Sequence, residues 1–241
     1  MEFFIRPGEN DKWLEYWKNE RLNWYRSLGI NPEKLRLRPH SEDELSHYSI
    51  AWYDIEYEFP FGFSELEGIA DRGTFDLTQH IKNSGKKLYY IDQQNRGEKI
   101  IPAVIETSAG IDRTVLTILA DSYWEDEEND RIVMRFSPEI APIKVAIFPL
   151  FNKQGMPEIA RKIFDELKFK IPSVYDDGGS IGKRYRRQDE AGTPFCITVD
   201  HQSLDDNTVT IRERDSLKQE RIAIRKIESV VNDKINEVVS N

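Results

Sequence analysis

The sequence predicts two unlike parts, an α+β segment followed by an α/β domain with a partly parallel sheet. Two observations carry this. Residues 51–70 alternate apolar and polar at a period of two, as strands do. Beyond about residue 138, short apolar runs take turns with amphipathic helical stretches. The division falls at 138–142 and gives two domains, 1–138 and 139–241.

In chain order, "FFIR" is a short strand stopped by Pro7 and Gly8. The next stretch, "ENDKWLEYWKNERLNWYRSLGI", is a helix with Trp13, Trp17, Trp24 and Leu28 as its core stripe and Gly29 at its stop. "RLRPHSEDELSHYSI" is polar and reads as a loop or a short helix. "AWYDIEYEFPFG" and "FSELEGIA" are strands, and a regular strand sends Glu65 and Glu67 to one side. Two carboxylates on one face repel unless the face is solvated or meets a cation. Thr78 stands ahead of a short helix. "KKLYYIDQQNRGEKIIPAVIE" is a hairpin turning at "QQNRGE", with "IIPAVIE" as its second strand. A helix follows Gly110 and ends near Tyr123, and "WEDEEND" is an acidic surface loop. In the second part, "APIKVAIFPL" is a buried strand, "PEIARKIFDELKF" a helix, "SVYDD" a strand end and "SIGKRYRRQDEAG" a helix. "TPFCITVD" and "TVTIRERDS" are strands, and "IAIRKIESVVNDKINEVV" is the closing helix.

Composition narrows the function classes. The formal net charge is -9, so a nucleic-acid site has to be a local basic patch. The one cysteine, Cys196, excludes an internal disulfide and a cysteine-based zinc site, and fits a cytoplasmic protein. No apolar run reaches membrane-spanning length, and the N-terminus, with Glu2 and Pro7, is not a signal peptide. The four histidines are scattered, and His47 and His80 read as structural.

Two constellations stand out. In "ETSAGIDR", Thr107 or Ser108 can cap the helix. Ala109 and Gly110 leave the backbone open to a ligand, while Glu106 suits a cation and Arg113 a phosphate or a flat ring. Taken alone, the stretch favours the plainer reading, an ordinary capped helix with a stray charge on each side. With "SELEG" it forms a set of carboxylates and an arginine suited to a nucleotide–metal complex and an amine. The basic run Lys183–Arg187 sits at a helix start, where free amides favour phosphate, and Tyr185 offers a ring for base stacking. Its competing reading is a solvated face offset by Asp189 and Glu190, and the residues alone weigh the two evenly. "GGSIG" is too short for a dinucleotide or P-loop fingerprint.

Five ordered segments, "EFFIRPGE", "SHYSIAWYDIEYEFPFGFSELEGIADRGTFDLTQH", "VIETSAGIDRTVL", "APIKVAIFPL" and "DDGGSIGKRYRRQDEAGTPFCITVD", resemble the C-terminal part of dimeric class II glycyl-tRNA synthetases. "AGIDR" is similar to the third class II motif. The resemblance implies the end of an antiparallel-sheet catalytic domain, an α/β anticodon-binding domain, a homodimeric family enzyme, and glycine, ATP, Mg²⁺ and glycine tRNA as ligands. It implies catalytic roles for Glu65, Arg72, Glu106 and Arg113. It places Glu106, Thr107, Ser108, Ala109, Gly110 and, less directly, Glu67 around glycine. Glu65, Leu66, Gly110, Ile111, Asp112 and Arg113 fall around ATP, with Glu65 near the metal. Lys183, Arg184, Arg186 and Arg187 are assigned to the anticodon stem-loop. In the family the glycine carboxylate attacks the α-phosphate of ATP, and the glycyl group then passes to the terminal adenosine of the tRNA. Two departures are visible. Thr107 replaces a usual proline, and Trp52 stands where a small residue is usual, which reads as a local packing change; neither is expected to touch the chemistry directly. The family's first two motifs precede the segment like "EFFIRPGE", so the 241 residues alone are expected not to form glycyl-adenylate. The alternative implied is a non-catalytic nucleic-acid-binding relative, such as a polymerase accessory subunit.

Overall fold

The computed structural model describes residues 1–239 except 42, 45–48, 94 and 96, with side chains to residue 236. His47 and part of the turn at 93–98 lie outside the described residues. Two compact units result, Met1–Ile118 and Leu119–Asn241. The composition change at 138/139 comes later in the chain than this division, and the segment between the two points packs with the second unit.

The first unit is an all-antiparallel sheet in the order β1 (Glu2–Ile5), β7 (Ala103–Ala109), β4 (Gly62–Gly73), β3 (Ala51–Phe59), β2 (Leu35–Pro39). Helix α1 (Asn10–Ser27) packs on β4 and β7. It buries Leu14 and Tyr25, not the whole tryptophan stripe. Trp13 and Trp17 are half-buried against Phe3, and Trp24 is exposed with the Arg21 guanidinium over its ring. Ile55, Tyr57, Ile69 and Ile105 fill the side of the sheet toward α1. The polar segment read as loop or helix begins with edge strand β2. Its Arg36 and Arg38 stand opposite Glu56 and Asp54, so opposite charges across the pair favour the strand.

Helix α2 (Phe75–Ser84) starts after Thr74, so Thr78 lies inside it rather than ahead of it. The expected hairpin is short, β5 (Tyr90–Asp92) with β6 (Glu98–Ile100). Pro102 has no N–H to give a ladder, and β7 restarts beyond it in the main sheet. Thr107 and Ser108 are strand residues of β7, so neither is the cap of α3 (Ile111–Ser122).

In the second unit the acidic "loop" is a hairpin, β8 (Tyr123–Asp126) and β9 (Arg131–Met134), packed on α5 (Ile181–Ala191). The main sheet runs β11 (Ser173–Tyr175), β10 (Val145–Pro149), β12 (Phe195–Val199), β13 (Thr208–Glu213), β14 (Gln219–Ala223). The pairs β10–β11 and β10–β12 are parallel and the other two antiparallel, which makes the sheet mixed. Strand β14 takes up Ile222 and Ala223, so the closing helix α7 (Ile227–Val239) begins later than its apolar pattern suggested. Met156, Ala160, Ile163 and Leu167 of α4 (Met156–Leu167) and Ile227 and Val231 of α7 pack on Val145, Ile147, Ile197 and Ile211. On the other side Ala146, Phe148 and Cys196 meet Ile181 and Tyr185 of α5. Burial pushes the Cys196 thiol up to about 12, so it serves as a small core residue. The short α6 (His201–Asp206) is fixed by a capping box between Asp200 and Ser203. Among the described residues no helix is long and apolar enough to cross a membrane.

Candidate functional site

Register decides which side chains meet. On β7 and β4, Glu106 pairs with Ala70 and Ser108 with Gly68, and on β3 Trp52 and Asp54 pair with the same two residues. Directly opposed residues share a face, so these six line the side of the sheet away from α1. Thr107 pairs with Ile69 and Ala109 with Glu67. They belong to the α1 face, and Thr107 is buried there. The side chains of Thr107 and Ala109 are therefore not brought to Glu106.

A bulge separates Glu65 from Glu67. Ile55 pairs with Glu67 but Glu56 pairs with Glu65, leaving Leu66 as the extra residue. The expectation that the two carboxylates share a side is thereby corrected. Glu67 is 1% exposed and takes a 2.7 Å hydrogen bond from Nε of Arg21 on α1. Glu65 faces solvent on the other side. Leu66 is core, so its side chain offers no surface to a nucleotide. The glycine assignment of Glu67 is corrected for the same reason.

The group that does assemble is Glu106, Arg72 and Asp76. Arg72 Nη1 donates to Glu106 Oε2 at 2.7 Å, while its Nε and Nη2 donate to the two oxygens of Asp76 at 2.6 and 3.0 Å. These bonds hold the Asp76 carboxyl below the usual carboxylate range. A carboxylate accepts several donors, so Glu106 can take an ammonium while Arg72 fixes its direction. Ser108 is exposed next to it on the same face. At the start of α3, Gly110, Ile111, Asp112 and Arg113 are all exposed. Arg113 Nη1 donates to the Glu65 carbonyl at 2.7 Å and lies 3.8 Å from its carboxylate. The guanidinium is held through Nη1 and stays half-exposed, and a half-exposed guanidinium can stack on a flat ring.

Among the described residues no three His, Cys, Asp or Glu side chains gather as a metal set. Glu65 suits a magnesium ion of the kind held by one or two carboxylates and the phosphates of a nucleotide, not an all-protein cage.

The basic run on α5 divides. Arg184 is 3% exposed. It donates to the carbonyls of Pro149, Asp177 (3.0 Å) and Gly179 (2.8 Å), tying the end of β10 to the loop before α5. It is a structural staple, and its assignment to RNA is corrected. Tyr185 is also removed from base stacking. Its hydroxyl meets Thr198 Oγ1 at 2.6 Å, and its ring lies between Phe148 and the Arg212 guanidinium. Arg186 donates to the carbonyls of Asp130 and Asn129 in the β8–β9 turn. Arg187 bonds Asp176 and the Gly178 carbonyl but stays half-exposed. Lys183 is exposed.

Sequence reasoning missed the charge network beneath this helix. Asp189, 1% exposed, accepts two hydrogen bonds from Arg212, at 2.9 and 3.0 Å, and one from Arg131 at 3.0 Å. Arg131 also donates to Asp126 at 2.6 Å. Arg214, fully buried, donates to the carbonyls of Gly192 and Phe136, both at 2.9 Å. The alternation carried no signal for it. In β13 a regular pattern turns Val209 and Ile211 inward and leaves Arg212 with Thr208 and Thr210, on the side that α5 covers.

Residues 144–234 match the anticodon binding domain family. Along nearly its whole length the chain is similar to proteins named glycine--tRNA ligase. That from Treponema denticola is 53% identical over 229 residues, covering 92% of this chain and 51% of the relative. That from Borreliella burgdorferi strain B31 is 50% identical, covering 98% and 54%. That from Thermobifida fusca is 48% identical, covering 98% and 53%. The chain thus spans about half the length of the curated relatives it matches.

Proposed function

We propose that the chain, about half identical to proteins named glycine--tRNA ligase and spanning about half of their length, belongs with them and supplies the glycine side of a glycyl-adenylate site together with an anticodon-binding domain. The observation that supports this is the Glu106–Arg72 pair on the open sheet face, within a chain about half identical to enzymes of that name. Glu106 receives the ammonium of glycine, and Ser108 closes the same side. Arg72, held by Asp76, keeps the carboxylate aimed. Arg113 lays its guanidinium on the adenine of ATP, and Glu65 faces the phosphates with their magnesium, which would neutralise phosphate charge. Catalysis in such a site is chiefly positioning and charge stabilisation. The second unit binds the anticodon stem-loop of glycine tRNA, with Lys183 and Arg187 as the members of its basic helix open to phosphate. The whole protein, working in translation in the cytoplasm as a homodimer, would carry the full reaction. The names of the relatives favour this over a non-catalytic nucleic-acid-binding protein.

Isothermal titration of the chain with a non-hydrolysable sulfamoyl analogue of glycyl-adenylate tests the reading. Wild type should bind, and Glu106→Gln should weaken binding about tenfold or more, because a charge-assisted hydrogen bond is lost. Equal affinity in the two proteins would remove Glu106 from the site.

A further inference from the structure

The geometry points to Trp52 as the wall that limits the Glu106 pocket to glycine. This rests on the reading of the Glu106 site given above and assigns that site a specificity residue.

The floor of the pocket is made of the two smallest side chains. Ala70 pairs with Glu106 and Gly68 with Ser108, and both floor residues are buried in the sheet. Trp52 pairs with Ala70 from the opposite strand, and its ring leans along β3 over Gly68. A Cβ on Gly68 would lie 3.1 Å from both Nε1 and Cζ2 of the indole. The ring thus lies in van der Waals contact with the one floor position that has no side chain. Even an alanine there would push it away.

The indole is fixed in this position. Nε1 donates to Asp54 Oδ1 at 3.0 Å. The His40 ring stacks on the indole, centroids 5.7 Å apart and planes 29° from parallel, and itself meets Asp54 Oδ2 at 2.7 Å. Asp54 is buried and so joins the two rings in a stiff clamp. The ring over Gly68 leaves about one strand spacing, roughly 4.8 Å, to the backbone line of β7. A carbon needs roughly 3.5–4.0 Å to each neighbour, so this strip has no room for a side chain, and the α-carbon of glycine has to lie above it. A methyl group pointing along the sheet would meet an indole that is held by a hydrogen bond and a stacked ring, and moving it costs more than an apolar pocket gains from the same methyl.

The test measures binding of two sulfamoyl probes, the glycyl- and alanyl-adenylate analogues, to the full chain by isothermal titration. Wild type should prefer the glycyl probe roughly 100-fold. Trp52→Ala should cut that ratio at least about tenfold by tightening the alanyl probe, with the glycyl probe little changed. Trp52→Phe, which keeps a ring but not the N–H, should retain most of the preference. If Trp52→Ala does not fold, Trp52→Leu carries the same expectation with apolar cover preserved. An unchanged ratio in the folded variant overturns the inference while the glycine site stands. Equal weakening of both probes also overturns it, since Trp52 would then only hold the sheet. Failure of the glycyl probe to bind wild type overturns the site itself, and the inference with it.

Discussion

Two neighbouring cations of the same helix have opposite fates. Arg184 spends its guanidinium on three carbonyls inside the second unit, while Lys183 faces water. Arg184→Ala leaves those carbonyls without donors and removes a buried stem, so it should cost about 3 kcal/mol in chemical denaturation. Lys183→Ala should change stability by less than about 0.5 kcal/mol. In a fluorescence-anisotropy titration with a glycine anticodon stem-loop, Lys183→Ala should weaken binding and lower the salt slope by about one. A stable Arg184→Ala protein with weakened RNA binding would return that arginine to the interface.

At the level of elements, the end of α5 depends on one glycine. Gly192 has a φ of +81°, and a Cβ there would stand 2.3 Å from the Phe136 ring and 2.9 Å from the Met134 carbonyl. Gly192→Ala should therefore destabilise the protein by about 2–4 kcal/mol. Gly182→Ala in the first turn of the same helix meets nothing within 4 Å and should be neutral or stabilising by up to about 1 kcal/mol, both read from denaturation midpoints. Elements of this kind were largely legible in the sequence, because burial writes a period of two or of 3.6 into the chain. The paired strands at 51–73, the helix after Gly110 and the alternating second unit all appear in that pattern. What did not appear depends on partners distant in sequence. The bulge at Leu66 adds one residue to a strand whose alternation looks regular, so Glu65 and Glu67 read as neighbours on one face. Ile222 suits a strand and a helix equally, which hid β14. "WEDEEND" reads as solvated because Arg131 and Asp189, which bury Asp126's side of the hairpin, lie outside it. Arg184 looks like any surface arginine until the carbonyl of Pro149 is brought to it.

For the whole molecule, the division at Ile118/Leu119 means that the β8–β9 hairpin completes the second unit. Arg131 reaches Asp189 from that hairpin, and Arg214 holds the Phe136 carbonyl. A fragment of residues 119–241 should unfold in one cooperative thermal transition followed by circular dichroism. A fragment of residues 139–241 leaves Asp189 short of a partner and uncovers α5, and should melt lower by about 10 °C or more. Equal melting points would place the hairpin outside the unit's cooperative core. The internal use of arginine also bears on how the protein would meet the RNA proposed as its partner. The chain carries a formal charge of -9, and in the second unit Arg131, Arg184, Arg212 and Arg214 are buried. An approaching polyanion therefore meets repulsion at long range and attraction only within a few ångströms of a small patch. Added salt then acts in two directions. It speeds the encounter by shortening the reach of the repulsion, and it hastens departure by weakening the docked contacts. For the proposed RNA complex, association and dissociation rates should then rise together with ionic strength, so exchange quickens at both ends.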